Sequence, residues 1–186
     1  LREKLSPAIL SYDGIAYQYM APTVFETEML SYVQEHLRIL SGFYGIVRPM
    51  DGVTPYRLEM QAKLGIDGAK NLYEYWGDRL YKEVRDSSGI IINLASKEYS
   101  KCIEKYLQPG DRYISCNFFE EQEGKLVQKG VYCKMARGEM VRFMAENRVE
   151  EPEGIKQFSV MGYRFSKELS SEKEYIFVRI KELYEA

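Results

Sequence analysis

The sequence is poor in metal and redox ligands. Its 186 residues hold one histidine, His36, and three cysteines, Cys102, Cys116 and Cys133. The cysteines stand far apart, with no Cys-x-x-Cys pair and no Cys/His cluster, which argues against a zinc site or a disulfide framework. No metal and no cofactor is expected. The thiols read as buried structural groups in a reducing compartment. His36 has no second histidine or acid spaced to form a site with it, so it reads as packed or as capping a helix end. No apolar run approaches the roughly 18 residues that span a bilayer, and Leu1 opens no signal-peptide pattern. No stretch rich in Pro, Gly or Ser separates two halves, and no repeat or low-complexity tract occurs. A single domain over residues 1–186 is the simplest expectation, since this length suffices for one buried core.

An excess of charge of either sign is also absent. The net charge of −2 counts against a globally basic nucleic-acid binder but permits a local patch. Residues 125–148 hold six basic side chains against two acidic ones. Acidic clusters flank them at Glu120, Glu121 and Glu123, and at Glu150, Glu151 and Glu153. Such segregation along the chain suits a binding surface on a near-neutral protein.

The most informative run is LSGFYGIVRPMDGVTPYRLEM over residues 40–60. Two arginines, Arg48 and Arg57, stand there beside or near prolines among residues otherwise suited to burial. Three later runs are equally dense: LYEYWGD at 72–78, INLASKEY at 92–99 and KMARGEMVRF at 134–143. Around them, periodicity predicts a helix from a Thr23–Glu26 capping box to about Leu40. Extended segments follow at 43–48 and 56–60, then a helix over 72–84 and a buried strand at 89–94. Ser96 can cap a helix to about Tyr106. Segments 112–119 and 125–133, joined by Glu121-Gln-Glu-Gly124, read as a β-hairpin before a basic helix over 134–148. A last pair of strands falls at 163–166 and 175–180. The fold class is α/β, a mixed α+β arrangement with helices packed on a mixed sheet.

On the basic helix, at about 100° per residue, Lys134, Arg137 and Arg148 share one face. Ala136, Met140, Phe143 and Met144 gather on another, with Glu139 and Glu146 on a third side. Cations stacked on one stripe repel unless an anion or a carboxylate meets them. Two readings stand: a solvated face with ion pairs to nearby loops, or an anion-binding surface. Arg48 and Arg57 present the same choice between phosphate-binding forks and buried arginines paired with Asp51 or Glu59. Ser96 and Lys97 open a helix after a strand and form a possible anion site, with simple capping as the alternative. Glu59, Asp78 and Glu98 could supply acid–base chemistry, or could form salt bridges to the arginines. The 16 tyrosines and eight phenylalanines include candidates for base stacking, though core packing accounts for most.

The four dense runs, in order and rough spacing from about Ile9 to Phe165, resemble the bacterial peroxide stress resistance protein YaaA family. That resemblance implies a cytosolic protein linked to survival of hydrogen peroxide, an unusual mixed α/β fold, and DNA binding with no established enzymatic activity. Family members open with a longer N-terminal portion, so the chain is expected to be the C-terminal majority of such a protein. The expected function is binding of double-stranded or distorted DNA, chiefly through the phosphate backbone and with weak sequence preference. A cleft lined by Arg48, Arg57, Lys134, Arg137, Arg142 and Arg148 would carry it, with Arg142 belonging to the shared motif. The alternative is an enzyme acting on a phosphorylated or nucleobase-containing substrate. There the arginines would clamp the anion and Glu59, Asp78 or Glu98 would move protons.

Overall fold

The structure, a computed structural model, describes residues 5–179. In chain order its elements are β1 (Ser6–Pro7), α1 (Ala8–Ser11), α2 (Ile15–Met20), α3 (Thr27–His36), β2 (Ile39–Ser41), β3 (Gly45–Val47) and β4 (Gly52–Val53). Next come α4 (Leu72–Trp76), α5 (Arg79–Val84), β5 (Ile90–Asn93), α6 (Lys97–Glu104), β6 (Arg112–Gln122) and β7 (Lys125–Val127). The last are α7 (Gly130–Asn147), α8 (Pro152–Ile155), β8 (Tyr163–Phe165) and β9 (Glu174–Arg179). The class is mixed α+β, as expected. These elements form two compact units. The chain up to Ser11 joins His36–Tyr113 in one, and Tyr12–Glu35 joins the chain from Ile114 onward in the other.

The first unit is organised by the LSGFYG run, the tip of an antiparallel hairpin with Ile39 opposite Val47 and Ser41 opposite Gly45. Gly42 is required because a Cβ there would stand 2.6 Å from the Leu58 carbonyl oxygen. Gly45 has φ +79° and lies against the Trp76 ring, so a side chain would be both strained and obstructed. Trp76 closes the arrangement by donating its indole N–H to the Gly42 carbonyl at 3.0 Å. Beneath lies a core of Met60, Leu72, Leu80, Tyr81, Ile91, Cys102 and Ile103. The helix predicted over 72–84 is broken into α4 and α5, because Gly77 takes φ +54° and stops the first turn set. The predicted helix to Leu40 is shorter. A 3-10 turn occupies Pro22–Val24, α3 begins at Thr27, and Leu40 sits in β2. Residues 56–60 form no strand; Met60 is instead a buried plug of the core.

In the second unit β6 pairs antiparallel with β7 and parallel with β9, which pairs antiparallel with β8. The hairpin turn reads as expected, since Glu123 and Gly124 both take positive φ between the paired Gln122 and Lys125. Its second strand ends at Val127, because α7 starts at Gly130, earlier than the predicted Lys134. Alternate residues of β6, namely Ile114, Cys116, Phe118 and Glu120, are buried. Phe118 stacks on Phe177 at 5.4 Å and meets Tyr163 edge-on at 5.4 Å, which builds an aromatic core. The parallel β6–β9 pair joins segments more than 50 residues apart, Phe118 facing Phe177.

Candidate functional site

In the first unit, Arg48 and Arg57 are both exposed. Neither is the buried arginine paired with Asp51 or Glu59 that one reading allowed. Asp51 instead accepts the Arg48 backbone N–H through Oδ2 at 2.7 Å, closing a turn. The Ile9 and Ala8 N–H groups anchor that turn by donating to the Pro49 and Asp51 carbonyls at 2.9 and 2.8 Å. Arg48 therefore leaves from fixed backbone, and its guanidinium pairs with no carboxylate among the described residues. Arg38, which the sequence reading passed over, belongs with it. The Ile39–Val47 pair is the last of the hairpin, so Arg38 and Arg48 emerge side by side just beyond it. Burial, and then the nearby Arg48 charge, pull the Arg38 pKa down; Asp86, Glu83 and Asp51 oppose that shift. Its signal was the hairpin register, which a helix drawn through to Leu40 concealed.

At the Ser96/Lys97 candidate anion site the lysine meets a carboxylate of the protein itself. Lys97 Nζ lies 2.5 Å from Glu104 Oε2, and Ser96 makes no side-chain cap bond. The three candidate acids do not pair with the arginines as expected. Asp78 pairs with Lys82 at 2.6 Å. Glu98 Oε1 accepts the Gln61 N–H at 3.2 Å, and Glu59 is exposed. His36 is exposed at the last turn of α3. Among the described residues no three His, Cys, Asp or Glu side chains come together as a metal site requires.

In the second unit the four cations of α7 and its C-cap part company. Lys134 is exposed and forms no ion pair with any described residue. Arg142 Nε bonds Glu146 Oε1 at 2.7 Å one turn on, and Arg148 pairs with Glu28. Both arginines line a cleft of about 360 Å³ with Val24, Glu26 and Met29. These pairs are substantially exposed, so each is worth about 0–1 kcal/mol and is readily exchanged for another anion. Arg137 differs. Both readings of the sequence, a solvated face or an anion-binding surface, set it beside Lys134 on an exposed stripe, but α7 is enclosed on more than one side. Cys133, Ala136, Gly138, Met140, Val141 and Ala145 are all buried. Arg137 is consequently more than half buried, and its Nε has no hydrogen-bond partner among the described residues. Of the predicted apolar face, Ala136 and Met140 are buried, while Phe143 and Met144 are only partly so.

A second charged cluster also escaped the sequence reading. Glu120, placed on the core face of β6 by alternation, bonds Arg179 at 3.1 Å and Lys129 at 3.0 Å. The Arg179 guanidinium lies over the Tyr132 ring, 4.3 Å from its centroid. The three thiols are buried, and burial pushes Cys102 up to about 11, Cys116 up to about 12 and Cys133 upward. They read as structural groups. Among the described residues no helix is long and apolar enough to cross a membrane.

The elements and their pairing define a protein of the mixed α+β class. Comparison with known proteins then places it. Residues 1–169 match the family described as peroxide stress protein YaaA. A UPF0246 protein of Agathobacter rectalis is 65% identical over 179 residues, covering 96% of this chain and 72% of that protein. UPF0246 proteins of Desulfitobacterium hafniense and Limosilactobacillus reuteri are 57% and 52% identical. They cover 94% and 97% of this chain, and 69% and 73% of their own lengths. The chain belongs to the peroxide stress protein YaaA family, and a stress-response association comes with that description.

Proposed function

We propose that this chain binds DNA in the bacterial cytoplasm as part of the peroxide stress response, chiefly through the phosphate backbone. The observation that carries the reading is the state of Arg48, Arg57 and Lys134. All three are exposed, and none has a carboxylate partner among the described residues. Exposed, unneutralised cations exchange their counterions for phosphate oxygens, and the released ions drive the association. Arg142 and Arg148 join once phosphate replaces Glu146 and Glu28. Backbone contacts position a protein without reading bases, so duplex and distorted duplex are bound with weak sequence preference.

With about four cations engaged, log K falls with log salt at a slope of roughly −3.6. Fluorescence anisotropy on a labelled duplex, titrated at several salt concentrations, measures that slope. The double substitution Arg48→Glu with Arg57→Glu should weaken binding and flatten the salt dependence. An affinity indifferent to salt, or unchanged in the double variant, rejects the reading.

Arg137 favours a second reading, an enzyme acting on a phosphorylated or nucleobase-containing substrate, because a partly buried arginine whose Nε has no partner among the described residues suits one discrete anion. Asp78 is engaged by Lys82 and Glu98 by the Gln61 backbone, which leaves exposed Glu59 as the uncommitted acid of the three candidates for that reading.

A further inference from the structure

Arg137 leaves α7 between two buried neighbours one turn away on either side, Cys133 and Val141. The residue is partly buried, and its Nε is buried without an acceptor among the described residues. A guanidinium cannot relieve this by losing its proton. Nor does a carboxylate among the described residues balance it. Glu120, which lies near Cys133, is committed to Lys129 and Arg179. Glu139 is felt by Arg142 and not by Arg137. Among the described residues, the titratable group whose charge reaches Arg137 is the Cys133 thiol, which burial pushes further toward its protonated form. Cys133 is itself satisfied, donating to the Phe118 carbonyl at 3.3 Å. A buried cation and an orphaned donor are both destabilising, and an apolar side chain of similar volume would remove both faults. Retaining arginine there gives up stability, and the natural return for that loss is a ligand.

We propose that Arg137 is the receptor for one phosphate-type oxyanion, an oxygen of which accepts the Nε–H that no described protein group takes. The planar fork of donors matches tetrahedral oxyanions with two parallel bonds. The residue as a whole is only partly buried, so it is not walled off from solvent on every side. The inference rests on the anion-binding part of the reading above and narrows it. The backbone cations hold phosphate loosely from outside, whereas Arg137 takes a single oxyanion in a fixed geometry. The oxyanion comes either from free phosphate or from a phosphodiester.

The test uses the 186-residue chain with inorganic phosphate, and with sodium chloride at equal ionic strength and pH as the control. Phosphate should move the Arg137 Nε–Hε resonance in a nitrogen–proton correlation spectrum. At about 100-fold above its Kd it should raise Tm by roughly 5–10 °C beyond the chloride control. In Arg137→Met the phosphate increment should vanish, while Tm without phosphate equals or exceeds that of the unsubstituted protein. A wild-type resonance that phosphate leaves unmoved overturns the proposal, as does a phosphate increment that survives in Arg137→Met. Should that variant fail to fold, the wild-type resonance decides alone. A short oligothymidylate without terminal phosphate distinguishes the sources: if it moves the same resonance, the site accepts a phosphodiester, and if only phosphate does, a free anion. Loss of DNA binding in the Arg48/Arg57 double variant with the phosphate response intact separates the two sites. If the chain binds no DNA yet phosphate moves Arg137, the DNA reading falls and this inference stands.

Discussion

Gly138 of α7 lies against the backbone of Ala16 in α2, so close that a Cβ on the glycine would overlap the Ala16 carbonyl oxygen. The same atom would stand 2.8 Å from the Met20 nitrogen. Two helices can approach this far only where one presents no side chain. The glycine inside KMARGEMVRF, costly to a helix in isolation, is therefore a packing requirement.

Gly138→Ala should accordingly destabilise the protein, although alanine is the better helix former. Backbone cannot give way as a flexible side chain can, so the expected loss is about 3 kcal/mol. Urea unfolding with an unchanged m-value measures it. A variant of equal or greater stability would show that α2 and α7 separate at little cost.

Asp111 carries a pH signature in the first unit. Its carboxylate accepts the Tyr81 hydroxyl at 2.6 Å, the Gln108 N–H at 2.8 Å and the Arg85 Nε–H at 2.7 Å. Together these hold its pKa down at about 2. A depressed folded pKa means the stabilisation is complete above the unfolded value near 3.8 and is lost as pH falls through about 2. Asp111→Asn should remove this component, so that stability changes less between pH 4 and pH 2 than in the unsubstituted protein. Denaturant midpoints across that window test it. Parallel pH profiles would mean the carboxylate is equally at ease unfolded.

The thiols should be silent in the native state. Cys102, Cys116 and Cys133 are each buried, with their thiolate forms disfavoured by that burial. A disulfide exchange reagent at pH 8 should count no reactive thiol in the folded protein and three after unfolding. One fast-reacting thiol in the folded protein contradicts the burial described here.

The basic helix shows where reading the chain succeeds and where it fails. Lys134 and Arg137 share an angular stripe because helical geometry alone sets that angle, whereas Arg148, predicted on the same stripe, is the left-handed C-cap and leaves the helix. Whether a stripe faces water depends on what packs around the helix, and Cys133 and Val141 are buried on either side of Arg137. Likewise Glu146 could be foreseen one turn from Arg142, whereas the Glu28 partner of Arg148 comes from α3, more than 100 residues away in the chain. The Leu72–Val84 pattern has helical periodicity throughout, yet Gly77 breaks it, and only Asn71 signals the start by accepting the Glu74 N–H.

By itself the order of residues determined the family, through four dense runs in register, and the features governed by short range. The Glu121–Gly124 turn, the alternation of β6 and the helical character of α7 belong here, since each follows from backbone sterics and side-chain period over a few residues. Tertiary structure alone decided the parallel pairing of β6 with β9, the companionship of Arg38 and Arg48, and the partial burial of Arg137. These depend on which distant surfaces exclude water from one another. Desolvation is a property of the assembled neighbourhood, and no local pattern encodes whether a given charge will find its counter-ion there.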